Sequence, residues 1–222
     1  VEISNNMKKN GGFIPGFRPG KPTADFIRKV INKIVIFGAV YLAVVALLPI
    51  IGGNLDFLPE AFPKVDLLRD ARYVAENASL TADCTLRLLG DRLGVAFRKC
   101  PILVIGWGRI GKCLAAILKA LEADVTVAAR KPSDLGMLTA LGYKAVAVSD
   151  IQPEQYRAIV NTAPATVWEH DGDYIQIDLA SQKGLTGQTV IWARGLPGKM
   201  LPESSGMLIA QGVLRYLKGG AS

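Results

Sequence analysis

The sequence predicts an α/β fold, a doubly wound parallel sheet, preceded by a basic arm and one long hydrophobic helix. Three observations predict this architecture. Short aliphatic runs alternate with helical patterns of apolar residues from residue 77 onward. A glycine-rich turn joins the first of these strands to the helix after it. Ahead of this region, residues 34–55 carry no formal charge and are nearly all apolar.

The positive charge of the chain is concentrated in its N-terminal arm. The 222 residues have a formal charge of +7, and residues 1–33 hold seven Lys and Arg side chains against two acids. The remaining residues have a net charge of only +2, so a domain-wide basic surface for nucleic acid is excluded. Three cysteines without a C-x-x-C spacing predict neither a disulfide framework nor a metal site and favour a reducing compartment.

The uncharged segment 34–55 is long enough to cross a bilayer, since about 20 helical residues span the hydrocarbon. The basic arm precedes it, whereas Asp56 and Glu60 follow it. The positive-inside rule therefore places the arm in the cytoplasm and the rest of the chain on the other side. Because Gly38 and Pro49 interrupt the run, a buried helix of a soluble protein is the alternative.

The arm carries a long ungapped pattern: residues 5–22 read NNMKKNGGFIPGFRPGKP. Together with the apolar run that ends at Pro49, this pattern resembles SecY, the channel subunit of the protein-export translocon. The resemblance covers residues 1–51 and implies a cytosolic loop followed by one membrane helix. One helix cannot form a channel that needs many, so the resemblance implies membrane association without transport. We assign residues 1–55 to this part and residues 56–76, which are rich in Pro and charge, to a linker.

Residues 77–222 are predicted to form the α/β domain. A helix over residues 81–89 is expected to pack against it. Strands separated by helices indicate a mostly parallel sheet with right-handed crossovers. The expected strands are 102–105, 125–129, 144–148, 158–161, 174–179 and 190–193. The expected helices are 110–121, 133–141, which Gly142 ends, and a closing helix over 203–218.

The glycine-rich turn has the pattern G-x-G-x-x-G at Gly106, Gly108 and Gly111. It follows a predicted strand and opens a predicted helix, which is the context of a Rossmann-type dinucleotide site. Gly106 allows the tight turn, Gly108 lets the backbone approach a diphosphate, and Gly111 lets the helix pack closely on the strand. Amides at the helix start would then bind the anion. A glycine turn in a non-binding domain is the alternative.

The end of the second strand predicts which dinucleotide binds. An acid there would hydrogen-bond a ribose 2′-hydroxyl and repel a 2′-phosphate. This chain places Arg130 and Lys131 there, so NADP is favoured over NAD. A solvated pair of cations at a strand end is the alternative.

Three further turns follow predicted strands and are expected at the carboxyl edge of the sheet, where ligands of open sheets bind. They are Asn161–Ala165, Asp178–Ser181 and Arg194–Lys199. For Asp178 and Ser181, a capped turn without a ligand is the alternative. His170, the only histidine, lies in a polar stretch that indicates a solvated loop.

These turns, the glycine loop and residues 128–131 together resemble the C-terminal nucleotide-binding domain of dipicolinate synthase A, over residues 77–217. The resemblance implies an NADP-dependent oxidation of dihydrodipicolinate to dipicolinate in spore formation, a small dicarboxylate substrate, and a flavoprotein-like second subunit. The cofactor-binding residues it implies are Gly106, Gly108, Arg109, Ile110, Gly111, Arg130, Thr162, Ala163 and Pro164, to which we add Lys131. Near the substrate end it places Asp178, Ser181 and the turn 195–198. We also count the residues of that turn as cofactor-binding: Gly195, Leu196, Pro197 and Gly198.

Two residues depart from the family pattern. Arg194 replaces the usual proline, and Ser204-Ser205 replace the usual Thr-Ala, so contacts with the substrate are expected to differ. The N-terminal domain of the family, the other wall of its active-site cleft, is not recognisable in this sequence. We therefore expect cofactor binding with little or no turnover by this chain alone.

The candidate catalytic residues are Asp178, Ser181 and Lys199, and no metal ligands are expected. Residues 77–222 are expected to be cytoplasmic, because NADP is needed there, and membrane association through residues 34–55 stays open. These two expectations conflict, since insertion of residues 34–55 with the basic arm inside would place residues 77–222 on the other side of the membrane. Two other functions stay open at this point. The chain could be a fragment of the export channel, with an incidental soluble part. Its second part could also bind NADP without catalysis.

Overall fold

The computed structural model describes residues 6, 9–10, 21–165, 168–169 and 172–219. The chain forms two compact units, Val1–Asp66 and Leu67–Ser222. The division between the units falls within the segment 56–76, which the sequence suggests as a linker.

The first unit is dominated by a long helix, α1, over Lys21–Leu47. The sequence suggested a helix over residues 34–55, and both of those ends were wrong. The helix begins earlier because Pro22 suits a first helical turn, where the missing amide costs nothing. It ends at Leu47 because Pro49 cannot continue the backbone hydrogen bonds and disfavours helical geometry in the residue before it.

Helix α1 has the length and composition of a membrane span. Among the described residues, α1 is the one helix that has both this length and this composition. An 18-residue stretch of α1 has a mean hydropathy of 2.3, and 0% of that stretch is buried. Its 27 residues extend about 40 Å, compared with about 30 Å for a hydrocarbon core.

Two short parallel strands follow α1 in the first unit. Strand β1, Ile50–Gly52, pairs with β2, Lys64–Asp66. The Asp66 carboxylate accepts hydrogen bonds from the amides of Asn54 and Leu55 at 3.1 and 3.0 Å, which holds the turn between the strands. Residues 64–66 are therefore ordered structure rather than linker.

A six-stranded parallel sheet forms the centre of the second unit. Its strands are β3 (Pro101–Ile105), β4 (Asp124–Ala129), β5 (Lys144–Ala147), β6 (Ala158–Asn161), β8 (Ile175–Asp178) and β10 (Val190–Trp192). Their order across the sheet is β5-β4-β3-β6-β8-β10, and every pairing is parallel. This is the doubly wound order of a Rossmann fold, with its switch point between β3 and β6. The predicted fold class is confirmed. Two short strands, β7 (Trp168–Glu169) and β9 (Leu185–Thr186), pair separately.

Five helices accompany the sheet: α2 (Ala71–Leu93), α3 (Arg109–Ala120), α4 (Pro132–Ala140), α5 (Leu196–Met200) and α6 (Pro202–Leu217). Helix α2 is much longer than the 81–89 expected from the sequence. It begins where the Asp70 carboxylate accepts hydrogen bonds from the amides of Arg72 and Tyr73 at 2.8 and 3.1 Å. It ends at Gly94, whose φ is 62°.

The two faces of the sheet are covered differently. Ile102 and Val104 point into a large core that includes side chains of α2, α3 and α4. Leu103 and Ile105 point to the opposite face, into a smaller core shared with Ile159. The described residues between β6 and β8, and between β8 and β10, form no helix. Leu185 of β9 and the side chains of Tyr156 and Tyr174 pack in the core of the second face. The helices α2, α3 and α4 pack on the first face.

Candidate functional site at the carboxyl edge of the sheet

The turn between β3 and α3 requires glycine at two positions. Gly106 has a φ of +102°, and a Cβ there would lie 2.7 Å from Thr162 Oγ1. A Cβ on Gly111 would overlap the carbonyl oxygen of Gly106. The Gly106 amide donates to Ala128 O at 2.9 Å. These contacts fix a tight turn with the start of α3 pressed against the end of β3, as the sequence indicated.

Gly108 differs from the other two glycines because the space around it is open. Its backbone is extended, and a Cβ there would meet no atom within 4 Å. Gly108 is also the N-cap of α3, with no side-chain hydrogen bond to the first turn. The first hydrogen bond of the turn runs from Lys112 N to Gly108 O at 3.0 Å. The amides of residues 109–111 thus precede the helical ladder and can bind an anion, with the positive end of the helix dipole behind them.

The end of β6 closes the other side of the switch point. The Thr162 hydroxyl and amide both donate to Ile105 O, at 2.9 and 2.8 Å. The Asn161 side chain accepts from the Ala163 amide at 3.0 Å and donates to the carbonyl of the same residue at 3.1 Å. These bonds hold the turn 161–164 against the glycine loop.

Two concave regions meet at Gly108, Thr162 and Pro164, which line both of them. The smaller cavity, about 240 Å³, lies beside the end of β4. The larger cleft, about 880 Å³, extends toward the ends of β8 and β10 and the start of α2. An elongated ligand could therefore occupy both regions, with its middle over the open backbone at Gly108.

The smaller cavity contains the cations that the sequence placed at the end of β4. Arg130 and Lys131 are exposed and line it. Trp107, which is half-buried, lines the same cavity, with its ring edge-on to Tyr143 at 5.5 Å between centroids. The structure thus brings Arg130 and Lys131 to the predicted place beside the glycine loop.

The larger cleft contains most of the remaining predicted residues. Arg109 and Ile110 line it beside the glycine loop, and Ser181 lines it as an exposed side chain. The turn Gly195–Gly198 forms another wall, next to Arg194 and Ser205. The exposed Lys199 is not among the residues that line the cleft. His170 lies outside the described residues.

Asp178, a predicted catalytic residue, is buried and surrounded by hydrogen-bond donors. It is 0% exposed and accepts hydrogen bonds from the amides of Ala180, Gly184 and Leu185 at 2.9, 2.6 and 2.8 Å. Asn161 Nδ2 donates to it at 3.1 Å. Because these donors occupy both carboxylate oxygens, the geometry favours a positioning role, in which Asp178 holds the loop that carries Ser181, over the acid–base role expected from the sequence.

Three polar residues of the site were not predicted from the sequence. Asn77, on the part of α2 that precedes the expected start at residue 81, lines the larger cleft together with Thr81 and Lys112. Asn161 is buried and bridges to Asp178 on the neighbouring strand. The N-cap signal at Asp70 would have indicated the early start of α2.

The thiols and metal-binding groups suggest no second chemistry. Burial raises the pKa of Cys84 and of Cys100, so both thiols stay protonated near neutral pH. Within the described part of the chain, no group of three His, Cys, Asp or Glu side chains could hold a metal ion.

Comparison of the N-terminal sequence with known proteins identifies its relatives. Residues 1–64 match the SecY family model. The SecY subunit of the Mycobacterium bovis protein translocase is 48% identical over 64 residues, which are 26% of this chain and 14% of that relative. The resemblance of the arm and the apolar helix to SecY is confirmed, although the chain spans only a small part of the length of this relative.

Solved structures share the fold of the chain. Dipicolinate synthase A from Bacillus halodurans superposes with a TM-score of 0.63 at 24% identity, over 70% of this chain and 59% of that one. The corresponding protein from Bacillus subtilis gives a TM-score of 0.67 at 22% identity, over 78% of this chain and 66% of that one. The chain thus combines a SecY-like N-terminal segment with a Rossmann-type domain similar in fold to dipicolinate synthase A.

Proposed function

We propose that unit Leu67–Ser222 binds a nicotinamide dinucleotide, NADP in preference to NAD, as the cofactor domain of a dehydrogenase of the dipicolinate synthase A type. The observation that carries the proposal is the open, uncapped start of α3 at Gly108, located at the switch point of the sheet. Helix N-termini at such points bind diphosphates through backbone amides.

The two cavities suggest how the dinucleotide would lie. Its diphosphate would rest on the amides of Arg109 and Ile110, over Gly108. Its adenosine half would occupy the smaller cavity, where Arg130 and Lys131 meet the 2′-phosphate of NADP. Its nicotinamide half would extend into the larger cleft. Both regions share Gly108, Thr162 and Pro164, so one continuous ligand fits this arrangement.

The larger cleft suits an anionic substrate of low mass. Arg109, Lys112 and Arg194 supply three positive charges around it, and Ser181 and Ser205 supply hydroxyl groups. Cations and hydroxyls at such positions bind carboxylates. A dicarboxylate such as dihydrodipicolinate fits this chemistry. A bound nicotinamide would supply the hydride chemistry, so the residues of this chain would need only to hold the two molecules together and exchange a proton.

Within this proposal the predicted catalytic residues have unequal roles. Ser181 is the candidate for a contact with the substrate, because it lines the cleft as an exposed side chain. Asp178 positions the loop of Ser181. Lys199 does not line the cleft, so its catalytic role remains a prediction from the sequence alone. The superposition covers 59% of the Bacillus halodurans chain, so we propose binding by this chain and turnover only with further protein.

Titration of the purified chain with NADP and with NAD tests the proposal, with tryptophan fluorescence as the signal, to which Trp107 in the smaller cavity contributes. We expect NADP to bind at least about tenfold more tightly, because a charge-assisted contact contributes about 1.5–3 kcal/mol. Arg130→Asp should equalise or invert the two affinities. Arg87→Asp is the matched control, because Arg87 is exposed on α2 and lines neither cavity.

Absence of binding by either dinucleotide would refute the proposed function. Binding with an unchanged NADP-to-NAD ratio in Arg130→Asp would refute the role of Arg130 alone. The assay can then be repeated with the N-terminal domain of the family and a flavoprotein-like partner added. Tight binding that still gives no turnover would favour a module that binds NADP without catalysis.

The SecY-like segment favours a second function, association with a membrane through α1. Its apolar stretch is 0% buried, and residues 1–64 match the SecY family model. With the basic arm in the cytoplasm, insertion would place the Rossmann-type unit on the side of the membrane that lacks NADP. Protease protection in sealed vesicles separates the two functions. A protected α/β unit would support insertion, whereas a digestible unit on the cytoplasmic side would favour peripheral attachment.

A further inference from the structure

The smaller cavity contains an acid as well as the two cations. Three charged residues line it: Arg130, Lys131 and Asp134. Apolar side chains and backbone form most of the remaining wall, with Trp107 and Val148 as the larger members. These three charged side chains are the groups that would discriminate between the ribose substituents of a ligand bound there.

Asp134 is placed by the start of α4. The helix begins at Pro132, directly after the end of β4, and Asp134 is its third residue. The Asp134 amide donates to Lys131 O at 3.0 Å, which fixes the first turn. The side chain is only partly exposed. This position is on a helix, whereas the acid that selects NAD in dinucleotide-binding domains usually stands at the strand end.

The Asp134 carboxylate has no hydrogen bond or ion pair to any residue in the described part of the chain, and the same is true of the Arg130 guanidinium. The two charged groups thus line one cavity without neutralising each other. An ionised carboxylate only accepts hydrogen bonds, so it can receive ribose hydroxyls. It would repel a 2′-phosphate, which the guanidinium would attract.

We propose that Asp134 is a second specificity-determining residue, which opposes Arg130 and gives the site usable affinity for NAD as well as NADP. The inference rests on the proposed function, since it concerns the same cavity. Arg130 recognises the 2′-phosphate, and Asp134 recognises the ribose hydroxyls when that phosphate is absent. The domain then prefers NADP by a smaller margin than its two cations alone would produce.

A purely structural role for Asp134 predicts a different outcome. An acid in the first turn of a helix stabilises it through the helix dipole, and that contribution is the same for both coenzymes. Loss of that role would lower the melting temperature without changing the ratio of the two affinities. The affinity ratio is therefore the decisive readout.

The test is a calorimetric titration of the full chain and of Asp134→Asn with NAD and with NADP. The variant keeps the size of the side chain and removes its charge. We expect NAD to bind about tenfold more weakly and NADP to bind more tightly, so that the ratio changes about tenfold or more. Asp150→Asn is the matched control. It removes the same charge from an exposed residue that lines neither cavity, and it should leave the ratio unchanged.

An Asp134→Asn ratio within about twofold of wild type overturns the inference while leaving the proposed function intact. Failure of the wild-type chain to bind either coenzyme overturns both. A variant that melts earlier but keeps the wild-type ratio identifies Asp134 as a helix-stabilising residue only.

Discussion

Replacement of Gly108 by alanine should abolish coenzyme binding without damage to the fold. The added Cβ would meet no protein atom within 4 Å, and the φ of −84° is open to any residue. Alanine is a poorer N-cap than glycine, which costs up to about 1 kcal/mol. The smaller entropy of its unfolded chain returns about 0.4–1 kcal/mol. The melting temperature should therefore stay within about 4 °C of wild type.

The effect of Gly108→Ala on binding should be much larger. The methyl group would fill the space through which a diphosphate approaches the amides of Arg109 and Ile110. Two hydrogen bonds to a charged group, at about 1.5–3 kcal/mol each, would be lost. The resulting loss of about 3–6 kcal/mol corresponds to about 10²- to 10⁴-fold in affinity.

The assay combines calorimetric titration with NADP and thermal unfolding followed by circular dichroism. Gly136→Ala is the matched control, because a Cβ there also meets no atom within 4 Å and Gly136 lies inside α4, away from both cavities. The control should gain up to about 1 kcal/mol of stability and bind normally. A Gly108→Ala protein that binds NADP like wild type, or that unfolds, would refute the reasoning.

Four other substitutions test separate parts of the structure. Gly111→Ala should lose about 1–3 kcal/mol or more of unfolding free energy in urea, because its Cβ overlaps the Gly106 carbonyl in a packed interior; unchanged stability would contradict the helix–strand contact. Asp178→Asn should lose about 2–4 kcal/mol in the same assay, since its amide would face the Gly184 and Leu185 donors and leave them without acceptors. Unchanged stability would contradict the positioning role of Asp178. Asp70→Ala should cost about 1 kcal/mol at pH 7. The hydrogen bond from the Tyr73 amide, with Arg215, lowers the pKa of Asp70 from its ordinary value. The stabilisation is therefore present above the unfolded pKa and is lost as pH falls through the folded pKa. A stability difference that grows in acid would contradict the cap. Ala39→Lys should release the chain from carbonate-washed membranes, because a lysine at the centre of a membrane helix raises the free energy of insertion by about 2.5–3.5 kcal/mol. The control Ala39→Leu should stay in the membrane fraction. Equal retention of both variants would argue against a membrane-spanning α1.

The parts of the site that depend on neighbours in sequence were predictable. Gly106 and Gly111 are five residues apart, so the contact between these two residues follows from the local chain path. The position of Arg130 follows from the spacing between successive strands of a parallel sheet. These features need only the correct order of strand and helix.

The parts that depend on residues distant in sequence were not predictable. The role of Asp178 follows from its register with Asn161 on the neighbouring strand and from amides six and seven residues later. A pattern of polar residues does not reveal whether a carboxylate is saturated by backbone donors. The contribution of Asn77 to the cleft was missed for another reason, since the Pro-rich and charged residues before it suggested a linker rather than the start of α2.

A crystal structure of the chain with NADP tests most directly whether the glycine turn is a coenzyme site. We predict diphosphate oxygens within hydrogen-bonding distance of the Arg109 and Ile110 amides, with the 2′-phosphate beside Arg130. Coenzyme bound at any other place, or a turn that stays empty at saturating NADP, would contradict the account.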